Sequence, residues 1–268
     1  MTQLCRYYGV SRGGLYAWRH RPVSVHAEQD RCLLEEITRV FTKHADRYGS
    51  PRVHHELTRA GWTVSRRRVA RLMRGAGLRA KAVRGYRATV GTHRFYGQHP
   101  NRLRRMRATA PNQVWVGDIT YLSVKGQWRY LAVVMDQYSR RVLAWTLGRR
   151  RDARVTRAVL TAAVKRRRPA PGAIFHSDRG SEYLAAPFGA RVVQLGLLQS
   201  ASSHGPGDNA HMESFFHSLK AEVTRGETFI TDAALRREVR RYVRYYNATR
   251  QHSSLGYHSP MAFERLIL

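Results

Sequence analysis

Residues 207–222, GDNAHMESFFHSLKAE, open on a turn-prone Gly-Asp-Asn and then settle into a helical pattern. Met212, Phe215, Phe216, Leu219 and Val223 recur at the three- and four-residue steps of one helix face. Glu213, His217 and Lys220 share a different face. A carboxylate, an imidazole and an ammonium in that order also describe an ordinary solvated face. Glu213 gains its interest from two acids upstream. Asp118 lies in NQVWVGDITYL and Asp178 in AIFHSDRGSEY, both strand-like, with 34 residues separating Asp178 from Glu213. An Asp inside one strand, an Asp ending another and a Glu on a later helix form a three-carboxylate set suited to hard divalent cations. Taken singly, Asp178 reads equally well as a helix N-cap and Asp118 as a strand-end turn residue.

The order of elements around these acids narrows the fold. Segments 113–122, 127–135 and 141–147 alternate with β-branched and aromatic residues between short polar turns, predicting an antiparallel meander. A helix is expected over 153–168, a short strand over 173–175, a helix near 187–195 and a strand near 197–201. With these residues in view, the chain resembles the DDE transposases of the retroviral-integrase superfamily. More narrowly, it resembles the OrfB catalytic subunit of the insertion-sequence family numbered three. The implied fold is α/β, a ribonuclease-H-like catalytic core joined to an N-terminal helical, helix-turn-helix-like domain. The implied activity is cleavage of donor DNA strands and joining of the freed 3′ hydroxyl to target DNA. The implied cofactor is a pair of Mg²⁺ ions, with Mn²⁺ as a substitute. Asp118 would bridge the ions, while Asp178 and Glu213 would each hold one.

Five segments are expected: 1–22, a partial helix-turn-helix; 28–79, a helix-turn-helix-like DNA-binding domain; 80–110, a basic connector; 111–228, the catalytic core; and 229–268, a C-terminal helix and tail packing on the core. The resemblance implies that an end-recognition domain usual upstream of the first segment is missing here. Within 28–79, Ser65 is placed as an N-cap, and Arg67, Arg71 and Arg74 fall on one helix face opposite Val69, Leu72 and Met73. That stripe is expected at DNA, although a bundle helix with a solvated face gives the same pattern. His217 and Lys220 are expected to reach the phosphate of a bound strand. The tail YNATRQHSSLGYHSPMAF, 246–263, matches the family ending, and Arg250 within it is a further candidate DNA contact. In the connector, Arg102, Arg104, Arg105 and Arg107 cluster before Pro111, and Tyr86, Phe95 and Tyr96 interleave with the segment's cations, as in segments that lie along a nucleic acid, although a solvated linker gives the same composition.

Composition supports a polyanion partner. The net charge is +30, from 48 basic and 18 acidic residues. Residues 1–110 carry 24 basic and 6 acidic side chains, against 17 and 9 over 111–228 and 7 and 3 over 229–268. The excess is therefore thinnest where the three carboxylates sit. Such a surface binds phosphates by releasing counterions. No apolar run is long enough to span a bilayer and no signal pattern opens the chain, which reads as cytoplasmic and nucleoid-associated. Two cysteines, Cys5 and Cys32, argue against a disulfide framework and a Cys-based zinc site.

Expected partners are transposon ends and target DNA, a homo-oligomer assembled on DNA, and an upstream-frame protein. Two other readings remain open: a plain ribonuclease-H-like nuclease, and a non-catalytic or partner-dependent DNA-binding protein derived from a transposable element. Among the other acids, Asp136 is expected to order a loop and Asp208 to cap the helix bearing Glu213. Glu182 is read as structural or substrate-facing, and Trp115 and His176 as packing beside the site.

Overall fold

The computed structural model describes residues 2–20, 22, 24–81, 99–104, 106–202, 209–224 and 228–267. Asp208, Arg105, Tyr86, Phe95 and Tyr96 lie outside the described residues. The chain divides into two compact units, Met1–Lys81 and Ala82–Leu268. The described part of the basic connector after residue 98 thus falls within the second unit.

In the first unit, α1 (Thr2–Tyr7) and α2 (Arg12–Arg19) precede a three-helix group. That group is α3 (Val25–Lys43), α4 (Ser50–Arg59) and α5 (Arg66–Gly75). Leu33, Ile37, Val40 and Phe41 of α3 are buried along with Val53, Leu57, Val69 and Met73. The turn between α4 and α5 uses Gly61 at φ +88°, where a side chain would be strained. Ser65 then caps α5, its hydroxyl accepting from the Arg68 N–H at 3.2 Å.

The second unit is built on a five-stranded sheet in the order β3-β2-β1-β4-β5. Its strands are β1 (Val114–Val124), β2 (Gln127–Asp136), β3 (Val142–Gly148), β4 (Ile174–Ser177) and β5 (Leu198–Ala201). The first three run antiparallel, and β4 and β5 join parallel to β1. Side chains alternate across the sheet and fill two cores. On one face Trp115, Ala132, Val134 and Phe175 pack against α6 (Ala153–Arg167), α7 (Ser181–Leu184) and α8 (Ala186–Gln194). On the other, Val116, Leu131, Val133 and Met135 pack against α9 (Ala210–Leu219) and α10 (Asp232–Ala248). Helices cover both faces, as a sheet with parallel strands requires.

β1 records in its burial where its parallel neighbour ends. Val114–Gly117, flanked by β2 and β4, is buried without a break, whereas from Thr120 to Val124 buried and exposed residues alternate. Past Gly117, β2 is the one strand that pairs with β1 among the described residues, with a lone bridge from Val124 to Phe229 at the far end. The outer edge of β5 is padded by residues 100–102. Pro100 O accepts from Ala201 N–H at 3.3 Å, and the Arg102 side chain donates to Gln199 O at 3.2 Å. Arg102 is therefore committed to the sheet edge.

Asp136 orders its loop, as expected. Its carboxylate is buried and accepts from the N–H groups of Asn112, Tyr138 and Ser139. The C-terminal tail holds more structure than its composition suggests. Asn247 bonds the backbone of Val142 in both directions, at 2.9 and 2.8 Å, as a neighbouring strand would. A last helix, α11 (Pro260–Ile267), brings Glu264 into the core. Glu264 accepts both guanidinium branches of Arg167, at 3.0 and 2.9 Å, together with Arg141 and the Ser139 hydroxyl.

Candidate active site

The register of β1 against β4 sets the site. Gly117 lies opposite Ser177, the last residue of β4. The next residue on each chain segment is an aspartate, so Asp118, midway along β1, and Asp178, just past the end of β4, come together where the parallel pairing stops. β1 is where the sheet changes from antiparallel to parallel pairing. Gly117 makes the close strand approach possible. A Cβ there would lie 2.3 Å from Cζ of Phe175, a buried ring packed against Tyr183 and Phe188. Gly117→Ala is expected to cost about 1–3 kcal/mol by overpacking. A urea midpoint unchanged from the parent would contradict that packing.

Each aspartate is held by its own backbone. Oδ1 of Asp118 accepts from Ile119 N–H at 2.7 Å, and Oδ1 of Asp178 accepts from Gly180 N–H at 3.1 Å. Neither second oxygen has a hydrogen bond among the described residues. Burial, then the charge of Asp178, push Asp118 well above the usual carboxylate range. Burial likewise raises Asp178, against the pull of the Gly180 N–H. Two carboxylates crowded in this way resist being charged together, and a bound cation would relieve both. As hard oxygen donors they fit a divalent metal.

Of the surrounding shell, sequence reasoning singled out Glu182, Trp115 and His176 and missed Arg151 and Tyr183. Arg151 donates to Glu182 Oε1 at 2.8 Å, and both charges act on Asp118 and Asp178. Burial opposes the charge on Arg151, yet Glu182 and the two aspartates hold it more firmly protonated than usual. Tyr183, fully buried, has its hydroxyl pushed up by burial and then by the three carboxylates. Arg151 precedes α6 by two residues and is sequence-distant from both acids; only tertiary structure assembles the group. His176 and Trp115 are buried beside the site, with His176 Nδ1 2.8 Å from the Ser200 hydroxyl.

Glu213 sits differently. It is exposed on the first turn of α9, whose Met212, Phe215, Phe216 and Leu219 are buried against the sheet. Asn209, just before the helix, donates to Gly117 O at 3.4 Å, and Lys220, just after it, feels the charge of Asp118. The residues flanking the helix at its two ends therefore lie near β1 and Asp118. Yet Asp178, Arg151 and Glu182 dominate the field at Asp118, and no three His, Cys, Asp or Glu side chains cluster to hold a metal among the described residues. The structure brings Asp118 and Asp178 together and leaves Glu213 at the rim.

Of the expected DNA contacts, Arg67 and Arg74 are exposed on α5. Arg71 is also exposed but donates to Asp30 at 2.6 Å, tying α5 to α3. His217 is half-buried, and Lys220 lies with its ammonium 4.3 Å from the centre of the Tyr121 ring. Arg250 is a correction. It is 6% exposed and donates to Glu222 at 2.8 Å and to the Ser218 hydroxyl at 3.1 Å. Its charge is spent inside the protein, holding the tail to the turn after α9, and it presents no surface to DNA.

Comparison with known proteins agrees with this architecture. Residues 108–206 match the "Integrase core domain" family, residues 28–86 the "HTH-like domain" family, and residues 213–268 a second "Integrase core domain" family. The "Transposase InsF for insertion sequence IS3A" of Escherichia coli (strain K12) is 38% identical over 97% of this chain and 92% of its own length. The "Insertion element IS600 uncharacterized 31 kDa protein" of Shigella sonnei is 38% identical over 97% of each. The "Transposase for insertion sequence element IS904" of Lactococcus lactis is 36% identical over 92% of this chain and 98% of its own length. Among solved structures, a chain of the simian T-cell lymphotropic virus intasome in complex with PP2A regulatory subunit B56 gamma matches with a TM-score of 0.51. It is 19% identical, over 63% of this chain and 59% of its own, and shows the shared fold.

Proposed function

This chain belongs to the insertion-sequence transposases of the IS3 family, with an integrase catalytic core, and from that membership we propose its reaction. Water attacks a phosphodiester at the transposon end, leaving a 3′ hydroxyl on one product and a 5′ phosphate on the other. That hydroxyl then attacks a target phosphodiester, joins to its phosphorus and releases the target's 3′ oxygen. No covalent protein intermediate forms. The observation that carries the proposal is the adjacency of Asp118 and Asp178 where the parallel pairing of β1 with β4 ends.

Two divalent ions, Mg²⁺ or Mn²⁺ in its place, would be held by Asp118 with Asp178 and Glu213. When bound they supply Lewis-acid activation of the attacking oxygen and charge stabilisation of the leaving one. The Ile119 and Gly180 N–H groups fix one oxygen of each aspartate and so aim the other. The Arg151–Glu182 pair braces the acids from behind. Lys220 and His217 on the neighbouring helix would grip the phosphate, and Arg67, Arg71 and Arg74 would contact DNA through the first unit. Two ends must be held at once, so a homo-oligomer on DNA is part of the proposal.

The rim position of Glu213 favours one refinement. The third carboxylate joins the pair only on DNA, with an upstream-frame partner protein as the other candidate trigger. Among the described residues no helix is long and apolar enough to cross a membrane. The charge of the chain suits work in the cytoplasm, on the nucleoid.

The test is strand transfer of labelled ends with Mg²⁺, with and without a chelator. Product that requires the metal and disappears in Asp178→Asn supports the reaction. Product that persists in that variant would exclude Asp178 from the metal site.

A further inference from the structure

Away from the acid pair, α6 and α8 enclose an open groove of about 620 Å³. Arg154, Arg157, Thr161 and Lys165 line it at three- and four-residue steps, along one face of α6. Ala158 and Ala162, both exposed, also line it, and such small residues let a bulky chain approach the helix closely. Arg191 of α8 forms the opposite wall. No acidic residue lines the groove.

The charges there are unevenly spent. Arg154 is paired with Asp152 at 2.8 Å. Arg191 is fixed by neutral acceptors, the Thr161 hydroxyl at 3.1 Å and Gln194 Oε1 at 2.6 Å, which orient its guanidinium without cancelling its charge. Arg157 and Lys165 are exposed and have no acidic partner among the described residues. Eleven residues of helix separate Arg154 from Lys165, about 16 Å. One strand of a duplex carries about five phosphates over that length. Arg151, which donates to Glu182 beside the acid pair, precedes Arg154 by three residues, so the groove begins within a few residues of chain from the candidate active site.

We propose that this groove is a second DNA site, which holds the backbone phosphates of duplex flanking the reacting phosphodiester. The proposal rests on the transposase reading above. A polyanion fits this lining of four cations and no carboxylate better than a second copy of this chain, which offers only 18 acidic residues against 48 basic ones and would meet its homo-oligomer partners on another face. Its ligand chemistry is a run of phosphodiesters, recognised by charge and not by base sequence.

The test is the salt dependence of binding to a duplex of unrelated sequence, comparing the parent with Arg157→Gln/Lys165→Gln. Both residues are exposed, so the fold should be retained, which circular dichroism checks. Losing two phosphate contacts should flatten the slope of log K against log salt by about 1.8. The same relation puts the loss of affinity at 0.15 M salt near ~30-fold. A charge-keeping variant, Arg157→Lys/Lys165→Arg, should bind as the parent does. If the parent binds and cleaves DNA while the Gln variant matches its slope and affinity, the groove proposal fails alone. An acidic protein as the true occupant would give that same result. A parent that does not bind DNA overturns the groove and the transposase reading together.

Discussion

Asp118→Asn is expected to abolish strand transfer while leaving DNA binding intact and the fold at least as stable as the parent's. Asn keeps the oxygen that accepts from the Ile119 N–H, so the local backbone has no reason to move. It removes the negative charge that would hold both metal ions. Metal stabilisation of the reacting oxygens is worth several kcal/mol, so the rate should fall by about 10³-fold or more. Stability should move the other way. Burial and the charge of Asp178 both disfavour ionised Asp118 in the folded protein without metal, and Asn relieves both. A melting point unchanged or raised in chelator, with strand transfer lost, is the expected pair of results. A variant that melts lower would mean that Asp118 serves the fold; one that still joins strands would mean that it does not serve the reaction.

Glu264→Gln is expected to have the largest effect on stability. The carboxylate is 2% exposed and receives Arg167 through two branches, Arg141 and the Ser139 hydroxyl. It joins α11 to the end of α6 and the start of β3. Removing one partner of a buried ion pair costs about 3–5 kcal/mol. The lower end applies here, because Arg141 keeps 27% of its side chain exposed and can recover some hydration. For a unit the size of Ala82–Leu268, that shifts the melting midpoint by roughly 6–12 °C. Its pH dependence has a definite sign. Burial alone would raise Glu264, but the hydrogen bonds from Arg167, Arg141 and Ser139 outweigh it and hold the pKa below 4.5. The group's contribution is therefore present above pH 4.5 and fades as pH falls through the depressed folded value. The gap between parent and variant should narrow below pH 4.5, and a gap that widened there would contradict the pairing.

Much of the architecture was readable because it rests on local periodicity. The stripe from Met212 to Val223 has one face apolar at helical spacing, and those residues are buried. The alternation in 113–147 gave the meander to within a residue or two. Asp118 and Asp178 stood out as acids in strand-like settings of a basic chain, and the register of β1 with β4 sets them side by side.

What was not legible depends on contacts between distant segments. Arg250 sits in a recognisable motif, but its partner Glu222 is 28 residues upstream, and no period links them. Spacing could place Arg250 on the chain without saying whether it faced the core or a ligand. Asp30 claims Arg71 across 41 residues in the same way. Arg151 and Glu182 reach the acid pair only because α6 and α7 pack on the same sheet face. The last helix followed a Ser-Pro after a turn-rich tail, too short for its periodicity to stand out, and its buried Glu264 has partners 97 to 125 residues away. Glu213 shows the limit from the other side: the helix is where the pattern put it, yet its carboxylate stands at the rim of the acid pair.

That carboxylate is the most exposed part of the account. The direct measurement is Mg²⁺-dependent strand transfer on labelled transposon ends by the parent chain and by Glu213→Gln, with DNA binding followed in parallel. Product is expected from the parent, none from Glu213→Gln, and equal DNA binding by both, because Glu213 joins Asp118 and Asp178 once DNA is in place. Equal product from the two proteins would contradict it, leaving Asp118 and Asp178 without the third acid on which the proposed reaction depends.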